Sequence, residues 1–334
     1  MATIYDVSLR AGVSLATVSR VINKNNNVSD KTRQKVLEAM AELDYRPNTI
    51  AQSLASNVSN SVGVLVSQLD GPYYGPMMAE IEAALRAQNK HVIIAVGHSD
   101  AAVEQDSVEF LLSRGCDALI LDVEAVSDDY LVKLSQRSVP IVLINRYIQA
   151  MEPCCIYLNN ELGGYLATRH MVDLGHRSIA YISGPKNKHD AMERLVGHQR
   201  ALAEGGLVFD PALYIEGDYK EEGGEAGMLA LLQTGKSFSA VVCANDQMAS
   251  GAIAVCLQRG LVIPRDLSVI GYDNVPFAKY ISPKLTTVNN PIHEMGKMAA
   301  LWVLRHVYAD DQTLVNNVFE PELVVRGSAI RAVN

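Results

Sequence analysis

In the stretch SLATVSRVIN, residues 14–23, the single charge is Arg20, one helical turn beyond Leu15 and Ala16. A guanidinium presents a planar fork that matches guanine O6 and N7 with two hydrogen bonds, and small apolar side chains touch thymine methyls. Thr17 and Ser19, in the same stretch, are placed to reach phosphates. One well-placed arginine is enough to read a base, because affinity comes from phosphate contacts spread over an interface.

A second set of polar residues stands at the ends of apolar runs: QLDGPYYGP (68–76), Asp122, Asn145-Arg146, GPKNKHDAMER (184–194), ANDQM (244–248) and GYDN (271–274). Taken singly, each is better explained as a helix cap or a turn. Together, carboxylates, amides and aromatic rings match a neutral polyol such as a sugar. Other chemistries lack their signatures. No GxGxxG or P-loop follows the first strand, so nucleotide phosphate is not expected. Neither a GxSxG elbow nor HExxH or CxxC metal spacing occurs. His170, His176 and His189 have no nucleophile at a recognisable spacing. We therefore expect no enzyme, no cofactor and no metal.

Positioning the first set takes three short helices. The first spans 3–11, with Ile4, Val7 and Ala11 at helical spacing; Gly12 ends it and Val13 packs beneath the turn. Ser14 caps the second, whose apolar side is Val18, Val21 and Ile22. Ser29 caps the third, 30–43, with Val36, Met40 and Leu43 inward. Helix, glycine-containing turn, helix is a helix-turn-helix, in which the second helix enters the major groove. A three-helix cap with no nucleic-acid role is the alternative on pattern alone. Beyond Pro47 and Asn48, TIAQSLAS (49–56) has the length of one or two marginal helical turns, and SNVSNS reads as a linker. Leu54 beside Ala51 and Ala55 is what a minor-groove wedge needs.

Positioning the second set takes a larger unit. From residue 61, apolar runs at 61–67, 91–96, 117–121, 140–144, 178–183, 240–243 and 267–271 alternate with helical patterns near 76–89, 103–114, 128–137, 160–174, 190–205, 222–234 and 246–259. Such alternation predicts parallel sheets covered on both faces, and its length predicts two doubly wound sheets in tandem. Ligands of such sheets bind beyond the carboxyl ends of the strands.

The gross numbers agree with two or three domains in 334 residues, 49% hydrophobic and 20% charged. No apolar run is long enough to span a membrane. The N-terminus lacks a basic start followed by an apolar stretch, so a cytoplasmic location is expected. Five scattered cysteines fit neither a disulfide framework nor a zinc site. Residues 1–60 carry seven Lys/Arg and five Asp/Glu, a net +2 against −8 for the chain, leaving −10 to the remainder. Acidity thus belongs to the larger part, and the head is mildly basic.

ATIYDVSLRAGVSLATVSRVIN, then YRPN and SLA, resembles the N-terminus of the lactose/galactose repressor family. LGHRSIAYISGP, RLVGHQRAL, ANDQMASGA, SVIGYDN and PKLTTV continue the likeness in order over essentially the whole chain. It looks closest to the galactose-repressor branch, with Ala16 and Arg20 in the reading helix and VLINR at 142–146. The resemblance implies a helix-turn-helix head (1–46), a hinge helix and linker (47–60) and an effector-binding, dimerising core (61–334). That core would resemble periplasmic sugar-binding proteins, with an N-subdomain of about 61–160 plus 291–320 and a C-subdomain of about 161–290 plus 321–334. Three crossovers near 159–162, 289–292 and 319–323 would join them.

By position, Leu15, Ala16 and Arg20 would read bases in a palindromic operator. Thr3, Thr17, Ser19 and Asn23 would anchor or supplement them, and Leu54, with Ala55, would wedge at a central CG step. Leu15 departs from the Val of galactose-type repressors. Effector positions map onto Tyr74, with its neighbour Tyr73, and onto Asp122, Asn145, Arg194, Tyr219, Asn245 and Asp273. Asp122 and Tyr219 depart from the galactose-type pattern, which leaves galactose as a first guess among sugars. No leucine heptads follow ELVVRGSAI, so a homodimer is expected. The function implied is a sugar-induced repressor of a carbohydrate-catabolism operon. The alternative is a co-repressor-dependent regulator, with the Tyr73-Tyr74 pair stacking on a purine or nucleoside. A transport binding protein is disfavoured by the head group.

Overall fold

The computed structural model of the chain describes residues 2–22, 27–46, 58–310 and 314–332. The expectations for Asn23, for Pro47 and Asn48, and for 49–57 with Leu54 and Ala55 fall outside them. Two compact units make up the chain, Met1–Asn60 and Ser61–Asn334.

In the first unit, α1 (Ile4–Ala11), α2 (Leu15–Ile22) and α3 (Asp30–Glu42) surround a small core of Val7, Val18, Val21, Val36 and Ala39. Met40 and Leu43, partly buried, flank this core, to which α3 gives Val36 and Ala39. α1 ends because Gly12 adopts φ +65°, a left-handed conformation that costs a glycine little. The Ser8 hydroxyl donates to the Val13 carbonyl across that turn at 2.7 Å. α2 starts where the Ser14 hydroxyl accepts the Thr17 N–H at 3.2 Å.

The second unit is built on two six-stranded sheets of matching order. In chain order its elements are β1 (Ser61–Val66), α4 (Tyr74–Ala87), β2 (His91–Val96), α5 (Ala101–Ser113), β3 (Ala118–Leu121), α6 (Asp128–Ser135), β4 (Ile141–Ile144) and β5 (Cys155–Leu158). Then come α7 (Asn160–Asp173), β6 (Ile179–Ser183), α8 (His189–Glu204), β7 (Tyr214–Glu216), α9 (Glu221–Gln233), β8 (Ala240–Cys243), α10 (Asp246–Gln258) and β9 (Ser268–Asp273). β10 (Thr286–Asn289), α11 (Ile292–Tyr308), β11 (Val318–Phe319) and β12 (Glu322–Val324) complete it.

The first sheet runs β11-β5-β4-β3-β1-β2 and the second β12-β10-β9-β8-β6-β7; every pairing is parallel except β10 with β12. Continuous apolar strands arise because both faces are covered. Val62, Val64 and Val66 of β1 pack with Met77, Ile81 and Leu85 of α4, while Leu65 faces Val108 and Leu111 of α5.

The chain passes between the sheets three times: between Leu158 and Asn160, between Asn289 and Ile292, and between Phe319 and Glu322. Apolar alternation did not reveal β5, β7, β10, β11 or α11. No described helix is long and apolar enough to cross a membrane.

Candidate DNA-reading helix and ligand cleft

On the head unit, Val18 and Val21 anchor α2 inward, which turns Ala16 and Arg20 to solvent and leaves Leu15, Thr17 and Ser19 half-buried. Among the described residues no carboxylate pairs with Arg20. Thr3 has a structural task as well. Its backbone N–H donates to Asp6 Oδ2 at 2.8 Å and its hydroxyl oxygen accepts the Asp6 N–H, a reciprocal capping box. The backbone and side-chain hydrogen bonds from Thr3 hold the Asp6 carboxyl below its ordinary pKa.

In the core unit, all eight residues expected from the strand ends line one cavity of about 410 Å³. Tyr73 and Tyr74 enter from the start of α4, Asp122 from the end of β3 and Asn145 from the end of β4. The second sheet contributes Arg194 from α8, Tyr219 after β7, Asn245 after β8 and Asp273 at the end of β9. Three cleft residues have left-handed backbones, Asn145 (φ 58°), Tyr219 (69°) and Asp273 (97°), as does Asn274 (56°) next to Asp273. Non-glycine residues held there store strain that the surrounding structure must support, a common property of ligand clamps.

Arg194 is 2% exposed and its fork is already committed. Nε donates to Asn160 Oδ1 at 2.9 Å, Nη1 donates to the Ala244 carbonyl at 2.7 Å, and Nη2 lies 3.3 Å from Asp190 and 3.7 Å from Asp273. The guanidinium stacks on the Tyr272 ring at 3.8 Å. Tyr219 donates its hydroxyl to Asp190 at 2.9 Å. The Asn245 amide is engaged at both ends: Nδ2 donates to the Tyr219 carbonyl and Oδ1 accepts the Met248 N–H. These groups present a fixed wall.

The opposite wall has open acceptors. Asp122 Oδ2 and Asn145 Oδ1 are buried and have no hydrogen-bond partner. Burial, reinforced by the charge of Glu124, raises the Asp122 pKa well above the carboxylate range. Burial also raises Asp273, against the opposing pull of Arg194. Tyr73 and Tyr74 meet edge to face, centroids 5.1 Å apart at 88°.

Two buried charges grip the segment that carries Asp122. Glu104 of α5 accepts backbone N–H groups of Glu124, Ala125 and Val126 at 2.8–3.1 Å. Arg146, next to Asn145 at the end of β4, donates to the Val126 carbonyl at 2.8 Å and to Asp128 Oδ1 at 2.6 Å. The segment's donors and acceptors are thus held from opposite sides. Glu124 then reaches across the cleft to Lys188 at 2.8 Å.

Sequence reasoning missed Asn160, Asn290, Asp190, Glu104 and the Glu124–Lys188 pair. Asp190 was detectable, standing four residues before Arg194 on one helix face. The others meet their partners only through the tertiary fold.

Residues 3–48 match the model of bacterial regulatory proteins, lacI family, and residues 168–329 match the periplasmic binding protein-like domain. The chain is 39% identical over 330 residues to the HTH-type transcriptional regulator GalR of Escherichia coli K12, covering 98% of this chain and 96% of that protein. It is 34% identical to the HTH-type transcriptional repressor PurR of Glaesserella parasuis over the full length of both. Among solved structures, the lac repressor dimer bound to operator and the anti-inducer ONPF superposes with a TM-score of 0.89 at 31% identity, covering 98% of this chain and 99% of that one.

Proposed function

The chain belongs to the lacI family of bacterial regulatory proteins, and from that premise we propose a sugar-responsive repressor of a carbohydrate-catabolism operon. It is a transcriptional regulator and not an enzyme; it binds operator DNA and a small-molecule effector and acts as a dimer. The observation that carries the sugar reading is the cleft between the carboxyl ends of the two sheets. There a rigid, internally bonded wall faces two unsatisfied acceptors, Asp122 Oδ2 and Asn145 Oδ1. Sugar hydroxyls donate to such acceptors without adding charge. Galactose is the first sugar to test.

In this reading, residues 1–46 form the head that reads the operator through Leu15, Ala16 and Arg20. Thr3, Thr17, Ser19 and Asn23 anchor or supplement those readers. Residues 47–60 form the hinge, with Leu54 and Ala55 at the operator centre. Residues 61–334 sense the effector. Free protein holds two heads at the spacing of two half-sites. Sugar favours a closed core that no longer supports paired hinges, and a differential affinity of a few kcal/mol is enough to empty the operator.

The Tyr73-Tyr74 pair and the likeness to PurR favour a second reading, a purine co-repressor. A mobility-shift assay on a palindromic operator separates the two. Galactose or another sugar should release the complex; release by none, with strengthening by a purine, replaces the first reading by the second. Arg20→Ala should abolish operator binding and leave calorimetric effector affinity unchanged. Loss of both would show that head and core are not independent.

A further inference from the structure

The charge balance of the cleft says more about its ligand than the fold does. Among the described residues lining it, eight are acidic and three are basic. Two of the three cations are spent: Lys188 on Glu124, and Arg194 on Asp190 and Asp273. The third, Lys220, is exposed.

Most backbone donors are no freer. Of the helices that open onto the cleft, α8 has Asp190 in its first turn, α9 has Glu221 and Glu222, and α10 has Asp246, whereas α4 has no carboxylate there. Those carboxylates already take the positive ends of the helix dipoles, where a phosphate would otherwise bind. The groups still seeking partners are acceptors: Asp122 Oδ2, in a residue 5% exposed, and Asn145 Oδ1. A phosphate ester brings about two negative charges and acceptor oxygens only, so it would add like charge and leave the Asn145 acceptor unsatisfied. A free hydroxyl satisfies either.

Resting on the sugar reading above, we propose that this cleft selects the unphosphorylated form of its sugar and rejects the phosphate ester of the same sugar. Glu124, which lines the cleft and occupies Lys188, is the main discriminating residue. Attaching a phosphoryl group to the effector therefore ends the regulatory signal without any change in the protein.

The test is calorimetry on the full-length protein with galactose, glucose and ribose, each against its own phosphate ester, and with hypoxanthine as a control. The sugar that binds should do so at least ~100-fold more tightly than its ester, since like-charge juxtaposition costs several kcal/mol and each tenfold corresponds to about 1.4. Glu124→Gln, which frees Lys188, should narrow that ratio by about tenfold. Glu222→Gln, at the exposed rim, should narrow it by less than about threefold and only at low salt, where rim charges are unscreened.

An ester that binds as tightly as its free sugar overturns the proposal and leaves the sugar reading standing. A ratio unmoved in folded Glu124→Gln overturns the role given to Glu124. Binding of hypoxanthine alone sinks the sugar reading and the proposal with it.

Discussion

Glu104 shows how a residue remote from the ligand controls it. Its carboxylate is fully buried, yet its neighbours are backbone N–H groups of the segment that aims Asp122 and Glu124. Replacing it by alanine strands three donors, that of Val126 buried and those of Glu124 and Ala125 partly buried; an unsatisfied buried donor costs roughly 1–3 kcal/mol. Glu104→Ala should therefore lower core stability by about 3 kcal/mol in urea titrations and weaken effector binding. Effector-free operator binding should persist at temperatures where the variant is folded. Unchanged effector affinity would mean that the segment holds its shape unaided. Nothing in the local sequence marks this glutamate, which reads as a polar position on an amphipathic helix. Arg194 and Asp273 were legible because they stand in the RLVG and GYDN blocks that carry the family resemblance, but what they touch was not. Arg194 was expected to offer its fork to the ligand, and the fork is bonded to Asn160, Ala244 and two aspartates.

At the scale of elements, α7 and α8 cross with backbones in contact, and glycines make that crossing possible. A Cβ added at Gly197 would stand 1.9 Å from the Glu161 carbonyl oxygen, and one at Gly164 would stand 2.0 Å from that of Arg194. Gly197→Ala must push the helices apart, at about 1–3 kcal/mol by analogy with overpacked cores, and it carries Arg194 away from the cleft. We expect a lower melting temperature together with a raised effector Kd; a destabilised variant with unaltered Kd would separate the crossing from the site.

The crossings between sheets have a comparable link, since Asn160 holds Arg194 and Asn290 donates to Asp273 at 3.2 Å. Asn160→Ala should therefore weaken effector binding and reduce operator release at saturating effector, measured separately. The elements found from sequence were those with long apolar runs or helical periods. β7 and β11 have three and two residues, too short for any period to show. α11 begins after Pro291 without a side-chain cap and is buried on a broad face, so neither a start signal nor a polar stripe revealed it.

At the scale of the whole molecule, buried histidines tie core stability to pH. Burial pushes His198 down to about 3, with its Nδ1 2.8 Å from the Thr168 hydroxyl, and lowers His176 and His170 as well. An unfolded histidine titrates near 6.5. Between about 3 and 6.5 the unfolded chain binds a proton that folded His198 does not, so stability falls as pH drops through that window. The loss approaches about 1.4 kcal/mol per pH unit for one group. Urea midpoints from pH 7 to pH 5 should fall more steeply for the native chain than for His198→Gln. A difference between them that does not vary with pH would remove His198 as the cause.

Doubly wound architecture was legible at this scale, because alternation of strand and helix survives errors in any one element. The interleaving came only through the family resemblance, which implied crossovers near 159–162, 289–292 and 319–323; alternation alone does not say which sheet each late strand joins. That interleaving limits how the protein can be rearranged. Each sheet is assembled from segments far apart in sequence, with β11 closing one sheet and β12 the other. No single cut in the core yields two self-sufficient halves, and a chimera joined there would inherit two incomplete sheets. A gene-fusion experiment that swaps sensors between relatives has its natural junction near Asn60, where one compact unit ends and the next begins.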